Sequence, residues 1–129
     1  MGKESMNATQ PEEFLPLPLS VFHILLSLCD QERHGYGIMK EIRERTGGEV
    51  KLGAGLLYGN LRRLIDQGLI ERSDEPPSAD LDDERRRYYR LTTFGQRVAL
   101  AETQRLAKLL TTARAKRLLI GPKLVEINR

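Results

Sequence analysis

The chain reads as a mainly α protein with one small β-hairpin, and three observations predict this. Most of its apolar residues recur at three- and four-residue spacing. Two short runs with strand-like composition, LIERS and RRRYYRL, stand together after the third such helix. A last helical stretch, LTTFGQRVALAETQRLAKLLTTARAKRLL, is too long for so small a domain to cover. At 129 residues there is room for one domain.

The elements follow in order. Residues 1–16 are polar and proline-punctuated and read as a flexible N-terminal arm. From Leu17, LPLSVFHILLSLCD is helical: Leu19, Phe22, Leu25 and Leu26 share a face with Cys29, and Pro18 suits the first turn. Gly35 permits a turn into YGIMKEIRERTGG, where Ile38, Met39 and Ile42 point inward and Gly47-Gly48 end the helix. EVKL, residues 49–52, alternates as a brief strand. In GAGLLYGNLRRLIDQG a third helix carries Leu57, Leu61, Leu64 and Ile65 on a narrow apolar stripe and stops at Gly68. The two hairpin strands span residues 69–73 and 85–91, joined by a polar excursion containing Pro76-Pro77. The final helix has Thr92 or Thr93 as its N-cap and is closed by Gly121-Pro122. Three helices followed by a hairpin make a winged helix-turn-helix domain over residues 17–91. A long C-terminal dimerisation helix (92–120) and a tail (121–129) complete the chain.

Composition excludes several classes. Apolar residues make up 40% and charged residues 30%, as in ordinary soluble domains. No apolar run is long enough to cross a bilayer, the N-terminal stretch lacks the apolar core of a secretory signal, and the single cysteine, Cys29, permits no intrachain disulfide. A cytoplasmic protein is expected. The net charge of +3 is unevenly placed: −2 over residues 1–19, −1 over 20–91 and +6 over 92–129. An argument for nucleic acid therefore rests on individual arginines rather than on overall charge. His23 and His34 have no partner at metal-ligand spacing, no hydroxyl or thiol has a recognisable base beside it, and no glycine-rich phosphate loop occurs. Neither an enzyme nor a cofactor is expected. His34, before a turn glycine, is expected to hold that turn by a hydrogen bond.

HGYGIMKEI (34–42), LGAGLLYGNLRRLIDQGLIE (52–71) and RRRYYRLTTFG (85–95) together resemble the PadR family of bacterial transcriptional regulators, in that family's order and spacing and over roughly residues 17–115. The resemblance implies a winged helix bound to double-stranded DNA and a homodimer; some family members also bind small aromatic or drug-like effectors between the paired domains. Two departures stand out. Gly59 occupies a position where the family usually has proline, and the stretch before the second wing strand is DLDDE, Asp80 to Glu84. Four carboxylates there repel phosphate, so deep minor-groove insertion of the wing is not expected.

A major groove about 12 Å wide admits one helix, whose first turns reach base edges. Lys51, Gly53, Ala54 and Gly55 stand at the start of the third helix, where small residues allow close approach and free N–H groups hold phosphate. Tyr58 and Asn60 lie off the leucine stripe and are expected to face outward, with Asn60 pairing with adenine. Arg62 and Arg63, further along, suit phosphate. The alternative is that Tyr58 packs on the core rim and the arginines are only solvated. By resemblance, Tyr36 donates its hydroxyl to a phosphate; otherwise it is a half-buried aromatic. On the second wing strand Arg85 and Arg87 share a face and suit phosphate, or else neutralise the neighbouring acids. For pairing, Leu106, Leu109, Leu110 and Ala113 form a stripe that Leu100 is taken to extend, with Leu19 and Phe22 of the first helix beside it. The leading expectation is a homodimeric repressor on an inverted-repeat operator; release by a small-molecule effector is left open, since there is no Trp and aromatics are only 5%. Its rival is a winged helix used as a protein-interaction module.

Overall fold

The computed structural model describes residues 9–73 and 87–119. A short 3-10 helix, Pro11–Phe14, precedes α1 (Leu19–Ser27), β1 (Arg33–His34), α2 (Gly35–Arg45), α3 (Ala54–Asp66), β2 (Ile70–Ser73), β3 (Tyr88–Leu91) and α4 (Thr93–Ala115). The strands form one antiparallel sheet in the order β1-β3-β2. Ile70 pairs with Leu91 and Arg72 with Tyr89 on one side of β3, and Arg33 pairs with Tyr89 on the other.

One apolar core joins every layer. Ile24 and Leu25 of α1, Ile38 and Ile42 of α2, Leu57, Leu61 and Leu64 of α3, Leu69 and Ile70, Leu91, and Val98 of α4 are all buried. The inward stripes of α2 and α3 are those the spacing predicts. On α1 the core face is Val21, Ile24, Leu25 and Leu28, rotated from the face expected around Leu19 and Phe22. Leu19 is exposed and Phe22 half-buried; α1 begins at Leu19, with Pro18 as its N-cap.

The helix ends have local causes. His34 Nδ1 accepts a hydrogen bond from the Gly37 N–H (3.0 Å) and caps α2. Thr92 Oγ1 accepts from the Gly95 N–H (2.9 Å), starting α4, and donates to the Gly68 carbonyl (2.6 Å), tying that start to the turn after α3. A side chain at Gly95 would run into the Leu69 carbonyl, so that crossing requires glycine. α4 ends at Ala115, earlier than expected. Arg117 takes φ +69°, and the Arg117 and Leu118 N–H groups bond back to the Arg114 and Ala113 carbonyls, a Schellman turn built without glycine. Gly121-Pro122, the expected stop, lies outside the described residues.

Two expectations fail. EVKL is not a strand. The Val50 N–H is taken by Thr46 Oγ1 (3.0 Å), and Val50 and Leu52 pack on the core from a loop. The third strand of the sheet is β1, a two-residue strand directly ahead of α2. Nor are residues 11–16 a free arm. Pro11 is buried, Phe14 meets Phe94 edge-to-face (5.7 Å), and the Leu17 N–H donates to Glu102 Oε2 (3.3 Å). Glu102, buried on α4, is held by Arg105 through two nitrogens (2.7 and 2.9 Å). That Arg105 bond holds its carboxyl below the ordinary carboxylate range, with the Leu17 N–H helping and burial opposing.

Candidate nucleic-acid interface

α3 divides lengthwise. Leu57, Asn60, Leu61 and Leu64 face the core, while Ala54, Gly55, Leu56, Tyr58, Arg62, Arg63 and Asp66 are exposed. Half of the segment from Gly53 to Gly68 thus stands out from the fold, as a groove-binding helix must. Gly53 is its N-cap and offers no side-chain cap, leaving first-turn N–H groups open to an anion. A Cβ at Gly53, Gly55 or Gly59 would meet nothing within 4 Å. The protein's own packing does not ask for glycine at these three positions, and Gly55 and Gly59 weaken the helix they sit in.

Asn60 overturns one expectation. Its angular position, three residues beyond Leu57 and one before Leu61, turns it inward, and it is 6% exposed. Its Oδ1 accepts from Arg63 (3.4 Å), and its Nδ2 is buried without a partner among the described residues. A side chain so placed does not reach a base edge. The two-residue offset from Tyr58 hid this: Tyr58 is off the stripe on one side and outward, Asn60 off it on the other and inward.

Tyr58 is 42% exposed, and its hydroxyl end lies over Gly35, where a side chain on that glycine would collide with it. Gly35 therefore serves close approach of α2 to α3 rather than only a turn. Tyr58 is also one of a group around the Tyr89 hydroxyl. Burial pushes the Tyr89 phenol up, Arg72 opposes this, Tyr58 adds to it, and Arg87 and Arg62 oppose it. Guanidinium groups from α3 (Arg62), β2 (Arg72) and the residue before β3 (Arg87) thus all act on the Tyr89 hydroxyl, and Arg72 stands directly opposite Tyr89 in the sheet. Among the described residues none of the three has an ion-pair partner, whereas Arg33, Arg45, Arg90 and Arg105 are each matched to a carboxylate. Arg72 was missed by sequence reasoning. The register that pairs it with Tyr89 is set by the folded sheet and is not written in the local residue pattern.

Lys51, Gly53, Ala54, Gly55 and Arg63 are exposed beside this cluster. Tyr36 is 56% exposed, its ring stacked on His34 at 6.3 Å. Arg85 and the DLDDE stretch lie outside the described residues. Among the described residues no group of His, Cys, Asp and Glu is placed to hold a metal ion, and no helix is long and apolar enough to cross a membrane.

The expected pairing residues split. Gly95, Val98, Ala99 and Glu102 are the buried line of α4, and Leu106, Leu109, Leu110 and Ala113 continue it at helical spacing. Past Glu102 the domain no longer covers that line: Leu109 is 54% and Leu110 52% exposed. Leu100 is not part of it. Six residues before Leu106 is well short of two full turns, so Leu100 falls on the line of Gln104 and Ala107 instead. Those two border a groove of about 750 Å³ between the 3-10 helix and α4.

Three packed helices, an outward third helix and a sheet hairpin feeding a long terminal helix define a winged helix-turn-helix protein of the DNA-binding, transcription-regulating class. The chain belongs to the PadR-like family of transcriptional regulators, whose family model matches residues 24–101; these are regulators rather than enzymes. It is 33% identical over 73 residues to an uncharacterized protein of Lysinibacillus sphaericus, a match spanning 57% of this chain and 64% of that relative, less than two thirds of its length. A PadR family transcription regulator from Clostridium difficile superposes with a TM-score of 0.63 at 26% identity, over 76% of this chain and 97% of that one. Bacillus subtilis PadR, solved in complex with operator DNA, superposes with a TM-score of 0.55 at 24% identity, over 65% of this chain and 47% of that one.

Proposed function

We propose that this regulator is a cytoplasmic homodimeric repressor that sets one α3 into each of two successive major grooves of an inverted-repeat operator. The observation that supports pairing most is the uncovered continuation of the α4 core line, Leu106, Leu109, Leu110 and Ala113, with Leu19 and Phe22 of α1 also turned away from the core. A second copy removes these side chains from water, and its two-fold symmetry matches a palindrome. Arg62, Arg72 and Arg87, with Arg63, Lys51, Tyr36 and the Gly53–Gly55 backbone, contact phosphate and supply affinity and salt dependence. Arg85 belongs to the same reading. A small-molecule effector that releases the operator completes it.

The test is a mobility shift on the DNA upstream of the protein's own gene at two salt concentrations, paired with the solution mass. A specific, salt-sensitive band from a particle of two copies is expected. A monomer without such a band overturns the proposal and favours the protein-interaction module.

A further inference from the structure

We infer that Leu56 selects operator sequence by contacting the 5-methyl group of thymine in the major groove. The inference rests on the DNA reading above and deepens it. With Asn60 turned into the core, the first turns of α3 hold little that can hydrogen-bond a base edge. Ala54, Gly55 and Gly59 end at a methyl group or a hydrogen. Tyr58 reaches back over Gly35 of α2. The arginines begin only at Arg62, in the helix's second half. Leu56 remains: it stands in the first turn, is 54% exposed, and lies about 100° around the helix from its buried neighbour Leu57.

Single exposed leucines are ordinary on protein surfaces, but position gives this one a partner. It belongs neither to the core nor to the α4 pairing line. Three positions on, flanking it toward the outer face of the helix, is Gly59, around which space is open. Bare backbone there lets the helix sit deep enough for a branched side chain to touch the groove floor. The one apolar feature that a base pair presents in the major groove is the thymine methyl. Burying one methyl-sized group contributes about 0.8 kcal/mol, close to a fourfold change in affinity.

The test uses the full chain and a duplex selected by it from a random pool. Each thymine is replaced in turn by deoxyuridine, which removes the methyl and keeps the pairing, and affinity is read by fluorescence anisotropy. The wild type is expected to lose about fourfold at one thymine per half-site. Leu56→Ala is expected to bind thymine and uracil duplexes equally, and Leu56→Met to keep the preference. Because Leu56 is exposed, neither substitution disturbs the core. A wild type indifferent to every replacement, or a Leu56→Ala variant that still prefers thymine, overturns the inference while leaving DNA binding intact. Absence of any salt-sensitive complex overturns the DNA reading itself, and this inference with it.

Discussion

The outward face of α3 and the distal half of α4 are both surfaces that one copy of the chain leaves uncovered, and they are made of opposite materials. On α3 the exposed positions include a glycine, an alanine, two arginines, a tyrosine, an aspartate and a single leucine, and Arg72 and Arg87 of the hairpin have no ion-pair partner among the described residues. On α4 the exposed part of the line is Leu109 and Leu110, with Leu106 and Ala113 half-covered, continuing a stripe that is buried as far as Glu102. Exposure alone is the same observation in both places. The side chains distinguish the partners: bare backbone and cations suit a hydrated polyanion, whereas an apolar line in register with the domain's own core suits another apolar line. In the proposed dimer the second surface serves the first by fixing the spacing of two α3 helices.

The sharpest way to break that comparison is at Leu109 and Leu110. Changing both to Glu is expected to leave the monomer folded, since each side chain already lies about half in water. It is expected to weaken pairing by on the order of 3 kcal/mol or more, at least a hundredfold, as read by sedimentation. If the doubly substituted chain still pairs like the wild type, α4 is not the pairing surface. On the α3 side, Arg62→Ala, Arg72→Ala and Arg87→Ala should each lower affinity for all DNA sequences alike, and reduce the slope of log affinity against log salt by about one. Asn60→Leu, by contrast, should leave base preference unchanged, because that side chain is inside.

A third substitution probes what holds α4 against the rest of the domain. Glu102→Gln is expected to cost about 1–2 kcal/mol near neutral pH, through loss of charge-assisted bonding at a buried site. The pH dependence has a definite sign. A carboxyl whose folded pKa is depressed stabilises the fold above its unfolded pKa, and that stability is lost as pH falls through the folded value. The difference between wild type and Glu102→Gln in thermal melts should therefore shrink in acid. The smallest effect is at Gly59→Ala, expected to stabilise the protein by up to about 1 kcal/mol while weakening DNA binding. If both stability and affinity rise together, the glycine does not serve close approach to the duplex.

Much of this was legible in the residues themselves. The stripes of α2 and α3, the His34 and Thr92 caps, the stop at Gly68 and the hairpin strands each follow from side-chain spacing or from a residue's own hydrogen-bonding chemistry. Other features were not. β1 is two residues long and exists because β3 offers it an edge; the charged and imidazole side chains of Arg33 and His34 carry no strand signal. EVKL alternates like a strand but found no edge to pair with. The docking of residues 11–17 depends on Phe94, 80 residues beyond Phe14, and on Glu102, 85 residues beyond Leu17.

The residues alone specified the main helices, their caps and the family, because helical periodicity and caps are local and survive any arrangement of neighbours. Tertiary structure decided how deeply Asn60 is buried and that Arg72 stands opposite Tyr89. Those outcomes depend on a helix's rotation against its neighbours and on strand register, and both are set by packing among residues distant in the chain.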